Sequence, residues 1–269
     1  MTALRADFRG RRRHHTTRRL HDLLRADALR GTFTRGRLPS EADLMMAYGV
    51  SRSTVRDVLT RLRAAGIVER LQGAGTLVVG HRTETALPEA HGVVPLRSGV
   101  FTGELHVEIL DRQTIPMPPS VAQHLGENPG SPCLRLDYIG HRNGEAHGIA
   151  TNYLRYPEAD AVEGTPFRLD WYTLLEQSGL TIGETEMVME ATLADDLTAD
   201  LLGISPGAPL LSFEQVIRAA DGRPYDYALF HCRGDRVSLL STARRPATDD
   251  AGGTTVPAAA AARPRGVAS

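Results

Sequence analysis

The sequence predicts an α+β protein with two domains: a small helical head carrying a glycine-turned hairpin, and a larger antiparallel sheet. Three observations carry this prediction. Between Leu38 and Val79 lie two serine-capped helical patterns and a hairpin that turns through Gly73 and Gly75. Beyond residue 96, runs of β-formers flank Arg142-Asn-Gly-Glu145 and Asp221-Gly222, and such turn dipeptides between apolar runs mark tight antiparallel hairpins. The charge also breaks: residues 1–82 hold 17 arginines against 7 carboxylates, and residues 83–269 hold 14 against 25, behind a net charge of only −1. A basic unit joined to an acidic one is the signature of a nucleic-acid module attached to a domain with other business.

Residues 1–16 are rich in arginine and histidine without apolar periodicity, so a mobile basic arm is expected there. Leu20, Leu23, Leu24 and Ala28 recur at helical spacing, predicting a helix over 17–29 that Gly31 ends. Ser40 can cap the next helix, with Asp43 three residues on completing an approximate capping box, and Leu44, Met45 and Tyr48 form its inward stripe. Gly49 breaks that helix. Ser51 caps a third, in which Val55, Val58, Leu59 and Leu62 face inward and Val50 staples the entry. Residues 67–71 and 76–79 read as two strands joined across Gln72-Gly-Ala-Gly75.

On the third helix Arg52 and Arg56 stand at i and i+4, away from the apolar stripe. An arginine in the first turn of such a helix can bond bidentately to guanine in the major groove. Ser51, Ser53 and Thr54 can donate to phosphates or bases, and the helix amino terminus favours a phosphate. Gly73 and Gly75 allow a tight wing turn that approaches the duplex closely. Two arginines alone would fit a solvated helix face equally well. The joint pattern of cap, turn, cap, spaced arginines and glycine wing points to double-stranded DNA.

Residues 81–95 lose periodicity and carry proline, glycine and charge, as a linker does. From 96 to 245 strands are expected at 100–110, 133–141, 149–154, 185–194, 210–219 and 225–232, with short helices at 171–177 and 197–202. The tail from 246 to 269 is rich in alanine, proline, glycine and threonine and is expected to be disordered. All 31 basic residues are arginine, which reflects genome composition and carries no mechanism. Two cysteines, Cys133 and Cys232, make neither a disulfide framework nor a metal spacing, and the scattered histidines lack regular ligand spacing. No apolar run reaches the length of a membrane span and the start lacks a signal peptide's apolar segment, so a cytoplasmic protein without metal or cofactor is expected.

The stretch LPSE…GVSRSTVR…L…AAGIVERLQGAGTLV resembles the winged helix-turn-helix of the GntR family of bacterial transcriptional regulators, over residues 17–80. The resemblance implies base and phosphate contacts from Ser51, Arg52 and Arg56, and a minor-groove wing built from Gly73, Gly75 and Thr76. Many members carry Arg or Asp directly after the PSE triplet; here Ala42 stands there, with Arg35 and Arg37 just upstream as substitutes. Residues 96–245 are similar to the UTRA effector domain of the HutC branch, through the Asn-Gly hairpin before NYL, the aromatic-rich segment Asp170-Trp171-Tyr172, LGI-x-PG-x-PLL, DGRP-x-D and RGDR. That resemblance implies an antiparallel sheet flanked by helices, related to chorismate lyase, with a small-molecule pocket and homodimeric assembly. Asp226 fills a position where the family often has an acidic ligand contact, and Asp170, Tyr172 and Tyr153 are further candidates; the two tyrosines also fit a plain core role. Where relatives that bind phosphorylated sugars carry an Arg-x-Arg pattern this chain has Tyr138, Gly140 and His141, and a frequent Glu is Ala150.

The expectation is therefore a sequence-specific repressor, a homodimer on a palindromic operator, released or retained by a small-molecule effector. Two other readings remain open at this level: lyase-type catalysis in the carboxy-terminal domain, and a packaging or plasmid-partition role.

Overall fold

The computed structural model describes residues 2–73, 75–80 and 105–237, with side chains from residue 15 onward except that of Leu105. The expected linker at 81–95, the beginning of the strand expected at 100–110 and the tail at 246–269 lie outside the described residues.

Helix α1 runs from Thr2 to Arg30. The helix was expected from Thr17, with a mobile arm before it; instead residues 2–16 continue the same helix. Alanine, leucine and arginine are good helix formers, and once the buried half is nucleated each added residue costs little. Apolar periodicity alone could not register that extension. Helix α2 (Glu41–Tyr48) starts at Ser40, whose side chain accepts from the Asp43 amide while Asp43 bonds back to the Ser40 amide. Gly49 ends it in the left-handed region at φ 61°. Helix α3 (Arg52–Ala64) is capped by Ser51. Ser40→Ala removes one side of the reciprocal cap and should lower stability by about 1 kcal/mol in a urea titration; an unchanged midpoint would show that the cap is dispensable.

The hairpin β1 (Val68–Leu71) and β2 (Gly75–Val78) closes the head. Leu20, Leu24, Leu38, Leu44, Val55, Val58, Leu62 and Val68 bury together as its core.

The second domain is a six-stranded antiparallel sheet in the order β3-β4-β5-β8-β7-β6. Its strands are β3 (Leu105–Pro116), β4 (Pro132–Arg142), β5 (Glu145–Arg155), β6 (Glu184–Leu193), β7 (Pro209–Arg218) and β8 (Pro224–Arg233). The β4–β5 turn places Asn143 and Gly144 at φ 53° and 78°, the signs a tight two-residue hairpin turn requires. Helices α6 (Trp171–Gln177) and α7 (Asp196–Leu202) fall where the periodicity places them. Helices α4 (Pro119–Leu125) and α5 (Glu158–Glu163) are not read from the sequence: each starts at a proline, which reads as a turn, and α5 has only Ala159, Ala161 and Val162 as apolar residues.

Alternation along the strands divides the side chains between two faces. Leu136, Tyr138, Ala150, Leu154, Phe213 and Phe230 point toward α5 and α6. Cys133, Tyr153, Val216, Tyr227 and Leu229 point the other way, toward α4, where Leu23 and Ala26 of α1 join them. Both cysteines are free and buried, and burial pushes the Cys133 thiol up to about 12. Helix α1 thus belongs to two cores at once, one face in the head and the other against the sheet.

Candidate functional site

The outer face of α3 is built from its first turn. Ser51 Oγ accepts from the Thr54 amide at 3.2 Å and lies 2.9 Å from both Ser53 Oγ and Thr54 Oγ1. Arg52, Ser53 and Arg56 are exposed, and Arg56 Nε donates to Glu41 Oε2 at 3.1 Å. That pair is open to solvent and holds the guanidinium loosely, so the arginine can turn to a phosphate or a base. Thr54 is buried beneath the cap instead of facing outward with its neighbours. Its helical position carries it toward the Val55–Val58 stripe, and its hydroxyl is engaged by Ser51.

Gly73 and Gly75 take φ of 79° and 90°, a region closed to most side chains. Thr76 pairs with Arg70 across the hairpin and its carbonyl accepts from the Leu38 amide at 2.9 Å. Arg37 bridges to Leu77 and lays its guanidinium over Gly75, where an added Cβ would stand 3.3 Å from Nε. Ala42 is exposed and offers no donor. Arg37, one of the two upstream substitutes, is therefore positioned at the wing, and its distance in sequence from the glycines explains why the motif alone could not place it there.

The four effector candidates separate. Asp226 is buried on the sheet face under α6, where both carboxylate oxygens lie 3.1 Å from Asn152 Nδ2 and Oδ2 accepts from Trp171 Nε1 at 3.0 Å. Burial, partly offset by those two bonds, pushes the Asp226 carboxyl up to about 7. The Tyr172 hydroxyl accepts from Gln215 Nε2 on the same face. Asp170 caps α6, accepting from the Thr173 amide and hydroxyl. Tyr153 lies on the opposite face, in the α1–α4 core, because it sits one residue out of phase with Asn152 on β5. Sequence reasoning missed Asn152, Tyr138 and Gln215 as neighbours of Asp226; strand period and the pairing Leu154↔Asp226 bring them there. Phe167 meets Tyr138 and Trp171 edge to face, and Tyr138 stacks on Trp171, beside it.

On the reverse face, α1 is fixed by charge as well as packing. Arg18 is fully buried and bonds to Asp22, Asp137 and Thr151 at 3.0, 3.0 and 2.7 Å. Arg19 pairs with Asp111 and Asp137, Arg25 with Glu190 and Arg30 with Glu214. Thr151, in this network, is adjacent on β5 to Asn152, which holds Asp226. Among the described residues no group of histidines, cysteines and carboxylates is arranged to hold a metal ion, and no helix is long and apolar enough to cross a membrane.

Comparison with known proteins agrees with both halves. Residues 16–78 match the model of bacterial regulatory proteins, gntR family, and residues 102–238 match the UTRA domain. The chain is 30% identical over 84% of its length, and 85% of the relative's, to the HTH-type transcriptional regulator Rv0792c of Mycobacterium tuberculosis. It is 27% identical over 76% of its length, and 84% of the relative's, to the HTH-type transcriptional repressor NagR of Bacillus subtilis. Among solved structures, the effector domain of PhnF from Mycobacterium smegmatis matches with a TM-score of 0.50 at 18% identity, covering 55% of this chain and 98% of that one; this likeness speaks to fold alone. With the capped, arginine-bearing α3, its glycine wing and the six-stranded sheet, these matches establish that the chain belongs to the GntR family of bacterial transcriptional regulators, in the HutC-type arrangement of a DNA-binding head and a UTRA domain.

Proposed function

We infer that this protein is a repressor, working as a homodimer on a palindromic operator, whose grip on DNA is set by a small molecule bound between the sheet and α6. The observation that carries the reading is the double membership of α1. One side of this helix supports α3, which presents Arg52 and Arg56, and the other is bonded to the sheet strand that holds Asp226. A ligand that shifts β5 or α6 in one state more than another thereby acts on the placement of the head, which is what a coupling between two sites requires. Relatives named as repressors support the sign of regulation. A cytoplasmic location follows from action on DNA. The Asp226 face holds an amide, phenols and an indole around one carboxyl, a set suited to binding rather than to lyase chemistry.

For DNA reading, Ser51, Arg52, Ser53 and Arg56 supply the major-groove face, with Gly73, Gly75 and Thr76 shaping the wing and Arg37 beside it. Thr54 contributes through the cap. With an operator selected from a random DNA library, Arg52→Ala should weaken binding by roughly 1–3 kcal/mol and relax the base preference at one position. Equal weakening on operator and random DNA would remove Arg52 from base reading. Broad protection of DNA without site preference would favour the packaging role instead.

A further inference from the structure

Resting on the reading that the face under α6 receives the effector, we propose that the effector is a small organic cation, an amine, amidine or guanidine on an aromatic or apolar body, which bonds Asp226 in place of the Trp171 indole N–H.

Asp226 is completely buried, yet its partners are two neutral donors, Asn152 Nδ2 and Trp171 Nε1. Among the described residues no arginine pairs with Asp226 or with Asp170. The ionisable groups that act on Tyr138, Tyr172 and Tyr225 there are Asp226, Asp170, Cys232, Glu158 and Tyr172 itself, all acids; of these Glu158 is paired with Arg155 and Arg223. A buried charge needs paired charge or a full set of donors; Asp226 offers an entering anion no countercharge, whereas a cation can pair with it once it ionises.

Two buried polar atoms also lack partners, Asn152 Oδ1 and the Tyr225 hydroxyl. Both residues are about 1% exposed. An ammonium or guanidinium carries several N–H groups. One can reach Asp226 and another Asn152 Oδ1 or Tyr225, while Tyr138, Phe167 and Trp171 wall its apolar body and add cation–π attraction. Trp171 now fills the place such a ligand needs. It is the first residue of the seven-residue α6, and in the segment before it only Phe167 of residues 166–169 is withdrawn from full exposure. Moving the first turn of α6 would open the site at the cost of two bonds to the sheet, Trp171 to Asp226 and Gln215 to Tyr172.

Binding a cation requires Asp226 as carboxylate, so the carboxyl, held protonated up to about pH 7, releases its proton as the ligand enters. The groups facing it are Asn152 from β5, Trp171 from α6, Tyr138 from β4 and Tyr225 from β8, with Tyr172, Asp170, Cys232 and Glu158 nearby; Tyr138, Tyr172, Tyr225 and Cys232 are all pushed up by burial and stay neutral.

Trp171 is the one tryptophan of the chain, so its fluorescence in the full-length protein reports the site directly. The probes are phenethylamine and benzamidine, set against phenethyl alcohol, phenylacetate and phenyl phosphate. The amine and the amidine should change the Trp171 emission saturably in the millimolar range expected of fragments, and the anions should not. Their affinity should rise by about tenfold between pH 6 and pH 8 as Asp226 ionises. Asp226→Asn, shown to be folded by its urea transition, should lose the response. The cation assignment is overturned if an anionic probe binds as well as its cationic counterpart, if Asp226→Asn retains cation binding, or if neither cation saturates by about 10 mM. Operator release separates this proposal from the regulator reading: an anionic metabolite that frees DNA sinks the cation and leaves the regulator standing, whereas an Arg52→Ala variant with undiminished operator affinity sinks the α3 reading whatever the effector.

Discussion

Asp137→Asn is expected to cost roughly 3–5 kcal/mol of stability, the scale for removing one partner from a buried charge network. Asp137 has no exposed surface and stands among three arginines: Arg18 at 3.0 Å, Arg19 at 2.7 Å and Arg135 at 3.4 Å, with Thr151 donating to it as well. Neutralising it leaves Arg18, also fully buried, with Asp22 as its remaining carboxylate. The loss acts through stranded charge rather than through the missing bonds themselves. It should appear as a lower urea midpoint and, because this network joins α1 to the sheet, as looser attachment of the head by proteolysis between the domains. Arg61→Ala provides the contrast. Its bond to Asp195 is 3.5 Å long and both side chains are about one-fifth exposed, so the loss should stay within about 1 kcal/mol. Equal effects from the two substitutions would mean that the buried network is no more valuable than a surface pair.

The second large effect is on pH. Burial pushes two carboxyls up to about 7, Asp226 under α6 and Asp27 on α1, where Glu214 adds to the effect and Arg30 and Ser120 oppose it. In the unfolded chain both lose their protons near the ordinary aspartate value, 3.8. Between those two pH values the folded protein holds protons that the unfolded chain has released, so raising the pH favours unfolding. Their stabilisation is complete below about pH 4, declines toward pH 7 and is gone above it, with each carboxyl contributing on the order of 4 kcal/mol across the range. Asp27→Asn and Asp226→Asn should each raise the urea midpoint at pH 8 relative to the parent protein, and that advantage should shrink to nothing near pH 4. A constant difference at all pH values would show that the carboxyl in question does not titrate in this window.

Much of the head could be read from the residues because its signals are local. Ser40 with Asp43, Gly49, Ser51, and the Val55–Leu62 stripe each act within four residues, and all appear at the expected places. The hairpins at Asn143-Gly144 and at Asp221-Gly222 are legible for the same reason. Helices α4 and α5 were not, since each starts at a proline that reads as a turn and α5 lacks large apolar residues. The extension of α1 was missed because an arginine-rich helix has no apolar stripe over that stretch. The orientation of Thr54 required the helix start to be fixed to one residue, and the separation of Tyr153 from Asp226 required the strand register.

The order of turns and charges along the chain by itself determined a DNA-reading helix and wing joined to an antiparallel acidic domain, because caps, turn dipeptides and charge runs are decided by near neighbours. Tertiary structure alone decided that α1 lies in both cores, that Arg18 and Asp137 meet across 119 residues, and that Asp226 sits among Asn152, Trp171 and Tyr138, with no arginine paired to it among the described residues. These depend on which sheet face each strand residue occupies and on which strands pair. A one-residue shift of register would carry Asp137 and Asp226 each to the opposite face of the sheet.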